Sequence, residues 1–190
     1  MGTGAVLSAD GGAGRDLAAR ALALRWLLLD VDGVLTDGRL WFGPEGETLK
    51  AFHVRDGLAI RLAQQAGLAV GLLSGRASAV VEQRALDLGL DAVVLGAEDK
   101  QRGFAAFLAG RGLDPAEVAY VGDDLPDLPV LAACGISFAP ADAAAEVRAR
   151  AEFTLSTRGG EGAVREAVEN LLRWRGAWAA VVDAFLPEPG

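Results

Sequence analysis

Short apolar runs alternate along the chain with segments whose apolar residues recur every three or four positions. The runs are typical of buried strands and the periodic segments of amphipathic helices, so the pattern predicts a repeated strand–helix unit. The predicted strands are Trp26–Asp30, Ala69–Ser74, Ala92–Leu95, Val118–Gly122, Gly135–Phe138 and, more weakly, Phe153–Leu155. Helical periodicity falls at 15–25, 56–66, 77–88, 98–110, 125–133, 141–150 and 161–173. We expect an α/β fold, a Rossmann-like three-layer α/β/α arrangement with a mostly parallel sheet and right-handed crossovers.

One segment interrupts the repeat. Residues 38–54 lie between the first strand and the helix that follows, and they contain the turn cluster Gly43–Gly46 between two β-prone runs. This arrangement predicts a β-hairpin in place of a larger inserted domain. Its aromatic residues, Trp41, Phe42 and Phe52, are expected to pack against another subunit, with packing on the same domain as the alternative.

The length of 190 residues favours one main domain. We divide the chain into a flexible Gly/Ala-rich N-terminus over 1–14, an α/β domain over 15–173, and a C-terminal helix and tail over 174–190. The helix is expected within Leu171–Gly190.

Composition narrows the class of protein. A net charge of −8 argues against a general nucleic-acid binder, which would need a basic face. The single cysteine, Cys134, excludes an intramolecular disulfide and is expected to be a small buried side chain. No apolar run reaches the ~20 residues of a membrane span, and charges interrupt the start of the chain where a signal peptide would be apolar. We therefore expect a cytoplasmic protein.

Two carboxylates, Asp30 and Asp32, stand where the first predicted strand ends. In an open α/β sheet, ligands bind beyond the carboxyl ends of the strands. Bringing two like charges together in a partly buried position is costly unless something neutralises them, and a divalent cation is the simplest neutraliser. The sequence therefore predicts a site for a hard metal ion at the tip of the first strand.

Three further polar groups follow later strands. Ser74-Gly75-Arg76 comes after the second strand, Lys100 opens the helix after the third, and Gly122-Asp123-Asp124 with Asp127 follows the fourth. Parallel strands end at one edge of the sheet, so these residues are expected to converge on one crevice. Among 18 basic residues, Lys100 is one of only two lysines, and it would balance the clustered aspartates.

The ordered set that begins with Asp30–Gly38 resembles the haloacid dehalogenase superfamily of phosphohydrolases, over roughly residues 26–172. The resemblance implies that Asp30 is a nucleophile that forms an aspartyl-phosphate, and that Asp32 acts as acid and then base. The residues implied in binding the phosphoryl group are Ser74, Lys100 and the backbone amides of Gly33 and Gly75.

The same resemblance implies a bound Mg²⁺. Its ligands would be Asp30, the main-chain carbonyl of Asp32, and Asp123, because Mg²⁺ prefers oxygen ligands. Asp124 and Asp127 are expected to shape the site rather than bind the metal.

Within the superfamily, the chain resembles the capless phosphatases that act on 3-deoxy-D-manno-octulosonate 8-phosphate, a phosphorylated sugar acid. The segments that carry this resemblance are Asp30–Gly38, Leu49–Gly57, Gly75-Arg76, Ala119–Asp127 and Gly159–Glu166. The resemblance implies an Mg²⁺-dependent enzyme of lipopolysaccharide core biosynthesis. It also implies a homotetramer whose hairpins meet at the centre and whose active sites are shared between subunits.

Substrate contacts are implied by position in the same way. They fall at Asp32, His53, Val54, Arg55, Asp56, Gly57, Arg61, Gly75, Arg76, Arg84 and Lys100. Arginine suits the phosphate and carboxylate of such a substrate because its guanidinium forms paired hydrogen bonds. Two residues depart from the pattern: His53 replaces a common asparagine, and Glu161 stands where some members carry a basic residue.

Two alternatives remain at this point. One is a phosphatase for a nine-carbon sialic-type sugar acid 9-phosphate, which would use the same framework. The other is a non-catalytic protein of this fold, either a tetramerisation module or a phospho-accepting receiver domain. Receivers usually take their metal-binding acidic pair from adjacent residues, whereas Asp30 and Asp32 are separated by one position, which favours an enzyme.

Overall fold

The computed structural model describes residues 13–44 and 46–187. The helices are α1 (Ala13–Ala23), α2 (Val54–Gln65), α3 (Ala79–Leu88), α4 (Lys100–Ala109), α5 (Leu128–Ala133), α6 (Ala145–Arg148), α7 (Ala163–Trp174) and α8 (Trp178–Asp183). The strands are β1 (Trp26–Leu29), β2 (Trp41–Gly43), β3 (Gly46–Leu49), β4 (Ala69–Leu73), β5 (Ala92–Val94), β6 (Val118–Val121), β7 (Ile136–Ala139) and β8 (Phe153–Thr154). A flexible N-terminus is predicted over 1–14. Residues 1–12 of it lie outside the described residues, and Ala13 and Gly14 belong to α1.

Six strands form one parallel sheet in the order β5-β4-β1-β6-β7-β8. β1 lies between β4 and β6, and Leu29 is in register with both Leu72 and Val121. The polar residues after these strands therefore emerge side by side at one edge, as the sequence predicts.

Alternate residues of β1 face two separate apolar clusters. Leu27 and Leu29 belong to a cluster that includes residues of α1, α2, α3 and α7. Leu28 points the other way, into a cluster with residues of α4, α5 and α6. This alternation follows from the two-residue period of a strand, and it confirms the predicted three-layer α/β/α fold.

The predicted elements differ from the structure mainly at their ends. The segment 125–133 is a 3₁₀ turn at Leu125–Asp127 followed by α5, and Pro126 and Pro129 each open one of these turns. The chain after Leu171 is two helices rather than one, because α7 ends at Trp174 and the backbone reverses before α8, at Gly176 (φ 70°). No helix among the described residues is long and apolar enough to cross a bilayer.

The hairpin after β1 forms as predicted. β2 and β3 pair antiparallel, with Gly43 opposite Gly46. Trp41 and Phe42 are 54% and 66% exposed, whereas Phe52 packs on the main apolar cluster of its own domain. For Phe52, which lies two residues before α2, the structure shows the alternative, packing on its own domain. Packing of the hairpin aromatics against another subunit stays a prediction.

Candidate active site

Charged side chains converge at the carboxyl ends of β1, β4 and β6 and at the start of α4. They line an open cavity of about 480 Å³. The lining residues are Asp30, Asp32, Gly38, Ser74, Gly75, Arg76, Glu98, Lys100, Asp123, Asp124, Pro126 and Asp127. The structure therefore brings together the acidic, basic and hydroxyl groups that the sequence placed after successive strands.

Asp30 continues β1 into this cavity. Its amide donates to the carbonyl of Val121 at 3.0 Å, which fixes the backbone beside β6. Its buried carboxylate lies 2.8 Å from Nζ of Lys100. Burial, with the nearby Asp127 charge, raises the pKa of Asp30 to about 6, although Lys100 opposes the shift. The carboxylate is therefore mainly ionised at pH 7 even before a cation is considered.

Asp127 contacts several members of the charged cluster through both of its carboxylate oxygens. Its Oδ1 accepts from Nζ of Lys100 and from the hydroxyl of Tyr120, both at 2.5 Å. Its Oδ2 accepts from the backbone amides of Asp123 and Asp124, at 3.0 and 3.2 Å. Both oxygens are thus committed to protein donors. The role of Asp127 in shaping the site rather than binding the metal stays a prediction.

Lys100 and Tyr120 keep their protons in this environment. Burial lowers the pKa of Lys100, but the charges of Asp30 and Asp127 more than reverse the effect, so its pKa lies above the ordinary value. Burial, together with Asp127, raises the pKa of Tyr120 well above its ordinary value. Lys100 is consequently a cation, and Tyr120 is a neutral hydrogen-bond donor.

Asp123 carries the observation that points to a metal. Carboxylate oxygens of Asp30, Asp123 and Asp127 lie within 4.8 Å of one another, and Oδ1 of Asp123 is buried with no hydrogen-bond partner. Burial, with the charges of Asp30 and Asp127, raises the pKa of Asp123 to about 8. Because both oxygens of Asp127 already accept hydrogen bonds from the protein, Asp30 and Asp123 have the oxygen atoms that are available as metal ligands. The site therefore fits a hard divalent cation.

Gly33 makes the approach of Asp123 possible. It has φ 87°, and a Cβ atom at this position would lie 2.0 Å from Oδ2 of Asp123. A side chain here would therefore displace the carboxylate as well as strain the backbone.

Asp32 is held in separate surroundings from Asp30. Its Oδ1 lies 2.5 Å from Nζ of Lys50, and its Oδ2 lies 3.5 Å from Nε of Arg76. Asp32 therefore contacts two cations, Lys50 and Arg76, and among the described residues it contacts no other aspartate. The two aspartates of the motif can thus have different chemical roles.

The remaining residues predicted from the family lie away from the cavity. His53 caps α2, where its Nδ1 accepts from the amide of Arg55 at 3.3 Å. Val54 is exposed, and so is Arg55. None of the residues from His53 to Gly57 lines the cavity of the same chain.

Asp56 has a structural position that the sequence did not predict. It is only 1% exposed, and its Oδ1 accepts from the amide of Arg165 at 2.7 Å, in the first turn of α7. Burial raises its pKa, and hydrogen bonds from α7 oppose the rise. Within one chain, Asp56 therefore caps a distant helix through Oδ1, while its Oδ2 is buried without a partner. Its contact with substrate stays a prediction.

Arg61 and Arg84 are also engaged away from the cavity. Arg61 donates to the carbonyl of Asp87 at 2.9 Å. The guanidinium of Arg84 lies over the ring of Phe52, and its Nε is buried without a partner. A Cβ atom at Gly57 would lie 2.5 Å from a terminal nitrogen of Arg84, so a side chain there would require the guanidinium to move.

The glycine-rich loop before α7 packs on the loop that follows Asp32. The amide of Gly160 donates to the carbonyl of Val34 at 3.0 Å, and a Cβ atom at Gly159 would lie 1.8 Å from the carbonyl oxygen of Gly33. Glu161 is exposed and lies 4.0 Å from Arg158. This glycine-rich loop therefore supports the loop that follows Asp32 in the same chain, which is called the catalytic loop below because of the role proposed for Asp32.

Comparison with known proteins agrees with this geometry. Residues 46–135 match the haloacid dehalogenase-like hydrolase family. The chain is 43% identical over 153 residues to the 3-deoxy-D-manno-octulosonate 8-phosphate phosphatase of Haemophilus influenzae, a match that covers 80% of this chain and 85% of that protein. The chain belongs to the haloacid dehalogenase-like hydrolases.

Two solved structures resemble this hydrolase closely. The cobalt-bound deoxy-D-mannose-octulosonate 8-phosphate phosphatase of Haemophilus influenzae has a TM-score of 0.82 at 41% identity, over 85% of this chain and 94% of that one. The Moraxella catarrhalis 3-deoxy-D-manno-octulosonate 8-phosphate phosphatase, in complex with magnesium, phosphate and KDO, has a TM-score of 0.86 at 32% identity, over 90% and 99%. The hydrolase is therefore a phosphoric monoester hydrolase, and the non-catalytic alternative is not supported.

Sequence reasoning assigned no role to three residues of the hydrolase that the structure places at the site. Lys50 contacts Asp32, Glu47 contacts Lys50 at 3.2 Å, and Tyr120 contacts Asp127. The scarcity of lysine was a usable signal for Lys50. Tyr120 has no such signal in the sequence, because a tyrosine inside an apolar strand is ordinarily a core residue.

Proposed function

We propose that this hydrolase converts 3-deoxy-D-manno-octulosonate 8-phosphate to the free sugar acid and phosphate, in lipopolysaccharide core biosynthesis. The observation that carries the proposal is the pair Asp30 and Asp32 at one cavity with Lys100 and Arg76. The identity to the Haemophilus influenzae phosphatase, which extends over most of both chains, supports the choice of substrate.

The chemistry follows from the separate surroundings of the two aspartates. Asp30, kept ionised beside Lys100, attacks phosphorus in line, and the bond from phosphorus to the sugar oxygen breaks. Asp32 gives its proton to the leaving oxygen. It then takes a proton from the water that cleaves the aspartyl-phosphate, which returns both carboxyl groups to their starting states.

A divalent cation, in our proposal Mg²⁺, would be held by Asp30, Asp123 and the main-chain carbonyl of Asp32. When bound, it would supply positive charge that offsets the carboxylates and the transferring phosphoryl group. Lys100 contributes a second, fixed positive charge from the protein. Ser74 and the amides of Gly33 and Gly75 are the proposed donors to the phosphoryl oxygens.

The open cavity implies that recognition of the sugar acid is completed from elsewhere. We propose a homotetramer in which the hairpin mediates assembly, because Trp41, Phe42 and Leu49 remain exposed on one chain. Arg76 would contact substrate within the chain. The neighbouring chain would contribute residues from the segment His53–Gly57 and the two arginines Arg61 and Arg84.

A substrate panel tests the function directly. The full chain with Mg²⁺ should hydrolyse the eight-carbon sugar-acid phosphate with a higher kcat/KM than the nine-carbon 9-phosphate or simple hexose phosphates. Asp32→Asn should abolish most of this turnover, whereas Asp99→Asn should leave it close to wild type, because Asp99 is exposed and caps α4.

A tenfold preference for the nine-carbon substrate would replace our assignment with the sialic-type alternative. Absence of turnover on every phosphate monoester would refute the proposed function. Light scattering tests assembly separately, since a stable monomer at 19.6 kDa would contradict a shared active site.

A further inference from the structure

The hairpin contributes a lysine to the surroundings of Asp32. The Lys50 side chain is completely buried (0% exposed), and its Nζ lies 2.5 Å from Oδ1 of Asp32 and 3.2 Å from Oε2 of Glu47. The two partners come from different segments of the chain: Asp32 follows β1, and Glu47 lies in β3. Lys50 thus joins the hairpin to the catalytic loop.

Glu47 in turn fixes the position of the lysine. Its Oε1 accepts from the hydroxyl of Ser78 at 2.5 Å, and its Oε2 contacts Arg76 at 3.2 Å. Burial raises the pKa of Glu47, but hydrogen bonds from Ser78 and Lys50 outweigh this and lower it overall. Glu47 is therefore an anion bonded to three donors from two segments. Such a network restricts the rotamers of the residues that it joins.

Lys50 differs from Lys100 in what it can touch. Lys100 lines the cavity and contacts the nucleophile, whereas Lys50 is not among the lining residues. A phosphate or carboxylate of substrate could reach the Lys50 ammonium only by displacing Asp32 or Glu47. Its position therefore favours an effect through Asp32 over direct contact with substrate.

We propose that Lys50, fixed by Glu47, is a positioning residue that orients the Asp32 carboxyl group for proton transfer to the leaving oxygen. The proposal rests on the proposed function. Asp32 can turn about two side-chain bonds. The contact with Lys50 fixes Oδ1, and Oδ2 faces Arg76, which lines the cavity. A misplacement of about 1 Å in a reacting group can cost about 100-fold in rate.

The leaving group of the substrate distinguishes this role from others. An alkyl phosphate needs a proton on its leaving oxygen as the bond to phosphorus breaks, whereas p-nitrophenyl phosphate releases a stable phenolate without one. In single turnovers with excess enzyme and Mg²⁺, Lys50→Met should slow alcohol release from a sugar phosphate by about 30- to 100-fold. It should slow nitrophenolate release by less than about threefold. In separate steady-state measurements, KM for both substrates should be nearly unchanged.

Arg39→Gln is the matched control, since it removes one positive charge near the hairpin. Arg39 is exposed and pairs with Asp37, not with Asp32, and the variant should stay within about twofold of wild type. Glu47→Gln is a milder second variant, expected to show the same selectivity for alkyl phosphates with about a three- to tenfold loss.

A double-mutant cycle gives the decisive comparison. If Lys50 acts through Asp32, then Lys50→Met should have no further effect on alcohol release in an Asp32→Asn background. Equal losses on both substrates, a change confined to KM, or additive losses in the cycle would overturn the proposal. A fall in Tm that accounts for the lost activity of Lys50→Met and Glu47→Gln would also overturn the proposal, because it would show that the contact only stabilises the fold. A wild-type chain that hydrolyses neither ester would instead refute the proposed function.

Discussion

The buried carboxylate of Asp127 should be a main determinant of stability at the candidate site. Asp127→Ala would leave the Tyr120 hydroxyl and two backbone amides without their acceptor, and the Lys100 ammonium with Asp30 alone. Removing one partner from a buried ion pair typically costs about 3–5 kcal/mol. Because bonds that share one residue do not add independently, we expect a total loss of about 3–5 kcal/mol rather than a larger sum.

Urea unfolding of the metal-free protein, followed by tryptophan fluorescence, measures this loss, and the 4 tryptophans provide the signal. Asp124→Ala is the matched control. Asp124 is an exposed cap whose side chain accepts from the amide of Leu125 at 2.8 Å, so its loss should cost only about 1 kcal/mol. The kcat of Asp127→Ala should also fall, because Lys100 would keep only Asp30 as a partner.

Equal stability losses in Asp127→Ala and Asp124→Ala would refute this account of the cluster. A different result would reassign Asp127. If Asp127→Asn weakens Mg²⁺ binding more than 100-fold while the metal-free protein keeps its stability, then Asp127 is a metal ligand and not a structural acceptor.

Three further predictions concern metal affinity, loop packing and thiol reactivity. Burial raises the pKa of Asp123 to about 8 in the folded metal-free chain, above its unfolded value, so its contribution to stability is full at low pH and is lost as the pH rises toward 8. Because Mg²⁺ binds the ionised carboxylate, Mg²⁺ affinity measured by calorimetry should rise about tenfold from pH 6.5 to 7.5, and a flat profile would contradict this. Gly159→Ala should lower kcat at least about tenfold because its Cβ atom would meet Gly33, whereas Gly110→Ala, at φ −65°, should behave as wild type in the same assay. The Cys134 side chain is half-buried rather than buried as the sequence predicts. Burial raises the pKa of its thiol to about 12, so a disulfide reagent at pH 8 should label the folded protein much more slowly than the urea-unfolded protein, and equal rates would contradict this.

The fold was predictable because a parallel sheet covered on both faces requires apolar strands. The runs at Trp26–Leu29 and Val118–Val121 are such strands, and their pairing follows from the strand–helix alternation. The end of the chain was less predictable. Apolar residues continue past Trp174, and the sequence pattern did not show that the backbone would reverse at Gly176.

The core of the site was predictable for a topological reason. A polar residue that directly follows a parallel strand lies at the ligand-binding edge of the sheet, as Asp30 and Ser74 do. The hairpin has no such constraint, so the inward direction of Lys50 appears only once the hairpin has folded over Asp32. Asp56 could not be assigned for a similar reason, because its partner helix lies far along the chain.

Because the Gly159–Gly162 loop packs on Gly33, we expect the enzyme to become active only late in its synthesis. The ribosome makes Asp30 and Asp32 early, but the loop that packs on the adjacent Gly33 and Val34 emerges only after β8. A nascent chain that stops before Gly160 would therefore carry both aspartates on a catalytic loop without its packing partner. We expect prematurely terminated chains to be inert, which would protect a cell from phosphatase fragments with uncontrolled activity.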